Sequence, residues 1–132
     1  MDENKPEMRT IILRGFSEND RTLICYCDAR TPKVSQIRGN PNVSWLFYHP
    51  EKCIQLRLSG TASVHTGDKT AELQWEKVRL TSRFNYSSGT PPGSPTEKPT
   101  LDPPSFLRYK AHKLLDHPQA RNNFAVIVCR FD

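Results

Sequence analysis

The segment Thr31-Pro32-Lys33-Val34-Ser35-Gln36-Ile37-Arg38-Gly39-Asn40-Pro41 separates two apolar runs, and the placement of everything on either side depends on what it forms. Thr31 suits an N-cap. Pro32 suits the first helical position, where its missing N–H costs nothing, and Gly39 with Asn40-Pro41 makes a stop signal. The segment therefore predicts a helix of two turns. Such an N-terminus presents unpaired N–H groups and the positive end of a dipole, to which Lys33 adds a full charge. The combination makes an anion site of phosphate size. The same residues also fit a plain capped connector with a solvated lysine.

Upstream, Arg9-Thr10-Ile11-Ile12-Leu13-Arg14-Gly15-Phe16 is β-branched and apolar and reads as a strand. Ser17-Glu18-Asn19-Asp20 is a turn cluster, and Thr22-Leu23-Ile24-Cys25-Tyr26-Cys27-Asp28 returns as the second arm of an antiparallel hairpin. Downstream, residues 42–49 are apolar at successive positions and predict a central strand with Trp45 and Phe47 in the core. Residues 53–60 alternate, which turns Ile54, Leu56 and Leu58 inward and Gln55 and Arg57 to the other face. Thr61 to Val64 prolongs that strand.

Asp68 can cap a helix carrying Ala71, Trp75 and Val78 on one face and ending near Ser82 or Arg83. Residues 87–104 hold six prolines and support neither helix nor central strand, so a long loop is expected. Ser105 can cap a further helix with Leu107, Ala111, Leu114 and Leu115 on one face, in which His112 and His117 are surface groups. Phe124-Ala125-Val126-Ile127-Val128-Cys129 is a last strand that needs pairing partners.

The chain of 132 residues is long enough for one domain, 1–132, with a packed core. Its four cysteines lack the paired spacing of a metal site and read as reduced, packed thiols, which fits a cytoplasmic protein. The polar start, Met1-Asp2-Glu3-Asn4-Lys5, has no apolar core of an export signal, and no apolar run reaches membrane-spanning length. Neither a membrane nor a metal is expected. A net charge of +5 comes from basic residues scattered along the chain, without a block of five, so a small anionic ligand is favoured over nucleic acid.

In order and spacing, residues 9–14, Tyr26-Cys27-Asp28, Thr31-x-Lys33, Asn40-Pro41 with the aromatic strand, and Gln55-Leu56-Arg57-Leu58-Ser59-Gly60 resemble the pyridoxamine 5'-phosphate oxidase-related family. That resemblance implies a mainly β (α+β) fold, an antiparallel split β-barrel with short flanking helices, and FMN as cofactor. It implies that Arg9 and Lys33 grip the FMN phosphate, and it counts Arg14 and Thr31 among the cofactor-binding residues. Ile11 and Ile12 would line the flavin through backbone groups, Tyr26 and Cys27 would contact the cofactor from the second strand, and Gln55 would hydrogen-bond the ring. It also implies a homodimer with FMN at the interface, where the last strand and the barrel faces meet a partner.

Two departures shape the functional expectation. Pro32 stands where the family commonly has an arginine, and the family pattern runs on past the position of Asp132 with strands bearing a tryptophan and arginines. The resemblance therefore points to a shortened FMN-binding relative of unassigned activity, an FMN-dependent oxidoreductase acting on an unidentified small molecule, rather than to pyridoxamine-phosphate oxidase itself. Residues 75–86, with Arg79 and Arg83, resemble those relatives. The alternative is a non-catalytic split-barrel module that binds a flavin or another phosphate-bearing ligand. No acid, base or nucleophile constellation is evident.

Overall fold

The computed structural model describes residues 5–99 and 118–132. Five antiparallel strands make one sheet: β1 (Gly15–Ser17), β2 (Thr22–Asp28), β3 (Asn42–His49), β4 (Ile54–His65) and β5 (Phe124–Phe131), in the spatial order β1-β2-β5-β4-β3. The helices α1 (Pro32–Gly39), α2 (Lys69–Lys77), α3 (Leu80–Arg83) and α4 (Pro118–Asn123) are short and lie between strands, as the mainly β reading expects.

The last strand is the centre of the sheet. β5 pairs with β2 along its length and with β4 from Gly60 to His65, and Ala125 and Val126 are fully buried. This corrects the expectation that the terminal strand seeks its partner across a subunit interface. Its ladder is satisfied within the chain.

Alternation then divides the core in two. On one face Leu23, Cys25 and Cys27 of β2 join Ile127 and Cys129 of β5, Trp45, Ala62 and Val34 of α1. On the other, Phe124 and Val126 pack with Ala71, Trp75, Val78 and Tyr86, where Phe124 makes ring contacts with Trp75, Tyr86 and Tyr26 at 5.0 to 5.1 Å. Helix α1 thus covers one face and α2 the opposite one.

Residues 9–14 are not a strand. The N–H of Arg14 reaches the carbonyl of Ile24, and before that rung the chain leaves the sheet: Ile11 packs on the α1-side core and Arg9 on α1 itself. β-Branched residues fit a pleated ladder but do not create one, and here side-chain anchors win.

Nor is β3 central. It is an edge strand, paired with β4 alone, and within it only Trp45 is buried while Phe47 packs partly against the cluster. Since β4 meets β5 only from Gly60 onward, the hairpin of residues 44–58 projects as a two-stranded ribbon. Ile54 and Leu56, expected inward, are therefore exposed, and Leu58 alone of the three reaches the core.

Asp68 caps α2 as expected, accepting from the Ala71 N–H at 2.9 Å. The helix stops at Lys77 rather than near Arg83, because Val78 turns extended to bury its side chain, and the chain resumes as α3. Arg83 then donates to the Trp75 carbonyl at 2.9 Å, satisfying that helix end. Residues 87–99 of the proline-rich loop hold neither helix nor strand. The helix expected after Ser105, with His112 and His117, lies outside the described residues. Helix α4 was not foreseen.

Candidate functional site

The residues proposed from the sequence fall into three groups. The first surrounds the N-terminus of α1. Thr31 holds the N-cap position, yet its hydroxyl donates to the carbonyl of Asp28 at 2.7 Å and makes no capping bond. Pro32 has no N–H, and the first turn carries no acidic side chain. The positive end of α1 therefore keeps its affinity for an anion. Gln36 follows Lys33 by one helical turn and accepts from Arg9 Nη2 at 2.8 Å, so the arginine and the lysine come to the same side of the helix.

Beneath this turn lie the thiols of β2. Burial raises the pKa of Cys27, while Lys33 and a side-chain hydrogen bond to Thr31 pull it back. Cys25 is pushed up to about 12, first by burial and then by Cys129 and Cys27, with Lys33 again opposing. Such thiols are neutral packing groups and not nucleophiles at ordinary pH. Ile11 contributes to the same core, whereas Ile12 is exposed.

The second group faces the other way. Tyr26 projects to the α2 side, donates its hydroxyl to Gln74 Oε1 at 2.8 Å, and has the Arg14 guanidinium 5.8 Å from its ring centroid. Burial raises its pKa and Arg14 lowers it. Adjacent strand residues point to opposite faces, so the side chains of Tyr26 and Cys27 do not line one site.

Gln55 is the third. It opposes Tyr48 in the β3–β4 ribbon and shares that face with Leu46 and Arg57. Trp45 and Leu58, the next pair in register beyond Leu46 and Arg57, point to the α1 side. Gln55 therefore projects from the sheet face opposite the one that carries α1, Lys33 and Arg9.

Sequence reasoning missed several polar partners. Gln36 was legible as the residue three after Lys33. Arg30, held bidentate on Asp28 with Nε–Oδ1 3.0 Å and Nη2–Oδ2 2.8 Å, also donates to the Ser88 carbonyl at 3.0 Å and so ties the end of β2 to the proline-rich loop. Nothing in the local pattern marks a contact across that separation. Among the described residues no group of three or more His, Cys, Asp or Glu is placed to hold a metal ion, and no helix is long and apolar enough to cross a membrane.

A model of the pyridoxamine 5'-phosphate oxidase FMN-binding domain matches residues 1–66, half of the chain and all of β1 to β4. The chain belongs to this family. Among related sequences, pyridoxine/pyridoxamine 5'-phosphate oxidase 2 of Arabidopsis thaliana is 31% identical over a match covering 76% of this chain and 57% of that protein. The pyridoxine/pyridoxamine 5'-phosphate oxidase of Rubrobacter xylanophilus is 38% identical over 46% of this chain and 27% of its own length. The chain thus spans little more than half, or less, of the curated relatives it matches.

The fold is that of the family's solved structures. A pyridoxamine 5'-phosphate oxidase-related, FMN-binding protein from Nostoc punctiforme superposes with a TM-score of 0.70 at 20% identity, over 98% of this chain and 65% of that one. PhzG from Burkholderia lata, solved with tetrahydrophenazine-1-carboxylic acid, gives 0.66 at 18% identity, over 96% and 59%. The antiparallel split barrel with short flanking helices is therefore the architecture of this chain.

Proposed function

We propose that this chain binds FMN with its phosphate at the N-terminus of α1, between Lys33 and Arg9, and acts as a flavin-dependent oxidoreductase on a small molecule. The observation that carries the reading is the uncapped first turn of α1, which holds Lys33 and has Arg9 fixed one turn further along the same side by Gln36. Charge-assisted bonds to a dianion are the strongest class of hydrogen bond in proteins, and the helix dipole adds to them. The family model supports FMN as the ligand. Bound FMN supplies the electron transfer, and the chain supplies binding and orientation.

The phosphate end fits the residues of one chain, while the ring contact does not. Gln55 projects from the face opposite α1, so the Gln55 that meets the ring comes from a second copy. The ribbon that carries it is dressed for such a contact. Leu46 and Tyr48 on one face and Ile54 and Leu56 on the other are all at least half exposed, from 50% to 64%. Apolar side chains on both faces of an edge ribbon mark an interaction surface, and a twofold homodimer places each ribbon on its mate.

The test is titration of the purified full chain with FMN, followed by the visible flavin bands that co-elute with protein on gel filtration. One FMN per chain, eluting at the volume of a dimer, is the expected result. No uptake at micromolar FMN contradicts the reading.

A further inference from the structure

Ser63 and His65 alternate on β4 and so share a face, and Gly67, at φ +63°, turns the chain so that Asp68 returns beside them as the N-cap of α2. Ser63 Oγ lies 2.9 Å from His65 Nε2, and His65 Nδ1 lies 2.8 Å from Asp68 Oδ2. The roles in this chain of contacts follow from the chemistry of its end. The Asp68 carboxylate accepts from Ala71 N–H through its other oxygen at 2.9 Å. That bond, with a smaller contribution from His65, keeps its pKa below the ordinary aspartate value, so it is ionised at neutral pH. An ionised carboxylate can only accept, so Nδ1 carries a proton, and in the neutral imidazole Nε2 is then the acceptor. Ser63 Oγ then donates to Nε2 at 2.9 Å, the shorter of its two contacts, the other being to the Val128 carbonyl at 3.4 Å.

A hydroxyl donating to an imidazole that is itself oriented by a carboxylate is the arrangement of an activated serine nucleophile. The site is open. Ser63 is exposed, the His65 side chain keeps 27% of its surface, and the β3 ladder ends at Thr61 short of both.

We propose that Ser63, His65 and Asp68 form an acyl-transfer site for activated carboxylic esters, on the α2 side of the sheet and independent of the flavin reading. Ser63 Oγ bonds to the ester carbonyl carbon as its proton passes to His65 Nε2. The bond to the alcohol oxygen then breaks, and the alcohol leaves with that proton. Water repeats the sequence, giving its proton to His65 and its oxygen to the acyl carbon, and the acid departs as the proton returns to Ser63. General-base activation is worth roughly 10²–10⁴-fold. That range suits esters with good leaving groups, such as aryl esters, and falls short of amides. Asp68 is a positioning residue.

The experiment is labelling of the full chain by a fluorophosphonate, with the site mapped by peptide mass spectrometry, alongside hydrolysis of p-nitrophenyl acetate. Ser59, exposed on the same strand and facing Ser44 Oγ at 3.0 Å, is an internal control. Expected are labelling at Ser63 and not at Ser59, and loss of roughly 100-fold in hydrolysis for Ser63→Ala and His65→Gln. Asp68→Asn keeps the helix cap, since asparagine caps as well as aspartate, yet donates to the imidazole and moves the ring proton. It should cost about ten-fold or more in rate with unchanged helix content. The ¹⁵N shifts of His65 should report protonated Nδ1 in the natural chain and protonated Nε2 in Asp68→Asn. Equal labelling of Ser63 and Ser59, or hydrolysis by Ser63→Ala at the natural rate, would overturn the proposal.

Discussion

Arg9 and Lys33, 24 residues apart in sequence, are held on one side of α1 because Gln36 accepts the arginine's Nη2 at 2.8 Å one turn beyond the lysine. The contact is exposed and adds little to stability. Its effect is geometric: it holds a second cation on the side of α1 that carries Lys33, one turn in from the helix's positive end, where the N-cap side chain is turned elsewhere.

The sheet register makes a stability prediction at Gly60. This residue opposes Phe131, and a β carbon there would overlap the Arg130 carbonyl oxygen and approach Phe131 Cα to 2.8 Å. Gly60→Ala must force β4 and β5 apart where β5 completes its pairing. The expected loss is about 1–3 kcal/mol or more, read as a lower urea midpoint at unchanged slope. A natural midpoint would contradict the register.

The thiols make a second. Cys53 is exposed, whereas Cys25, Cys27 and Cys129 are buried and free. One thiol should react quickly with a disulfide reagent at pH 8, and the other three only on unfolding. Cys25 is raised from 9.0 to about 12, so between those values the folded chain holds a proton that the unfolded chain releases. Its contribution to stability is complete below pH 9 and is lost as pH climbs toward 12. Urea midpoints should fall over that range, and fall less steeply in Cys25→Ala.

Where local chemistry is self-sufficient, it was legible in the sequence. Pro32 and Gly39-Asn40 bound α1 because first-position prolines and stop signals act over a few residues, and the capping Asp68 announces α2 for the same reason. The two-face apolar pattern of residues 42–49 was read as a central strand, but periodicity reports which faces are covered and not by which chain. An edge ribbon that exposes apolar side chains on both faces carries the same pattern as a central strand. Residues 9–14 misled because propensity is silent about where a ladder ends. The contacts of Arg9 with Gln36, and of Arg30 with Ser88, join positions far apart in sequence, and no local rule locates such pairs.

The opposite facing of Gln55 and Lys33 yields a complementation prediction. Gln55→Ala should weaken FMN and riboflavin alike, because it removes a contact to the ring. If each site takes Lys33 from one chain and Gln55 from the other, Lys33→Ala and Gln55→Ala homodimers each have two damaged sites. Mixing them creates heterodimers with one intact site, so after subunit exchange about one site in four should bind tightly. No recovery on mixing, with exchange verified, would mean that both residues serve within one chain.

The most direct test of the phosphate site compares FMN with riboflavin by calorimetry on the natural chain and on Lys33→Ala. A lost bond to a charged group costs roughly 1.5–3 kcal/mol, so FMN affinity should fall about ten-fold or more. Riboflavin, which lacks the phosphate, should bind both proteins equally. Equal losses for the two ligands would contradict the account and leave Lys33 as a residue that supports the fold around α1.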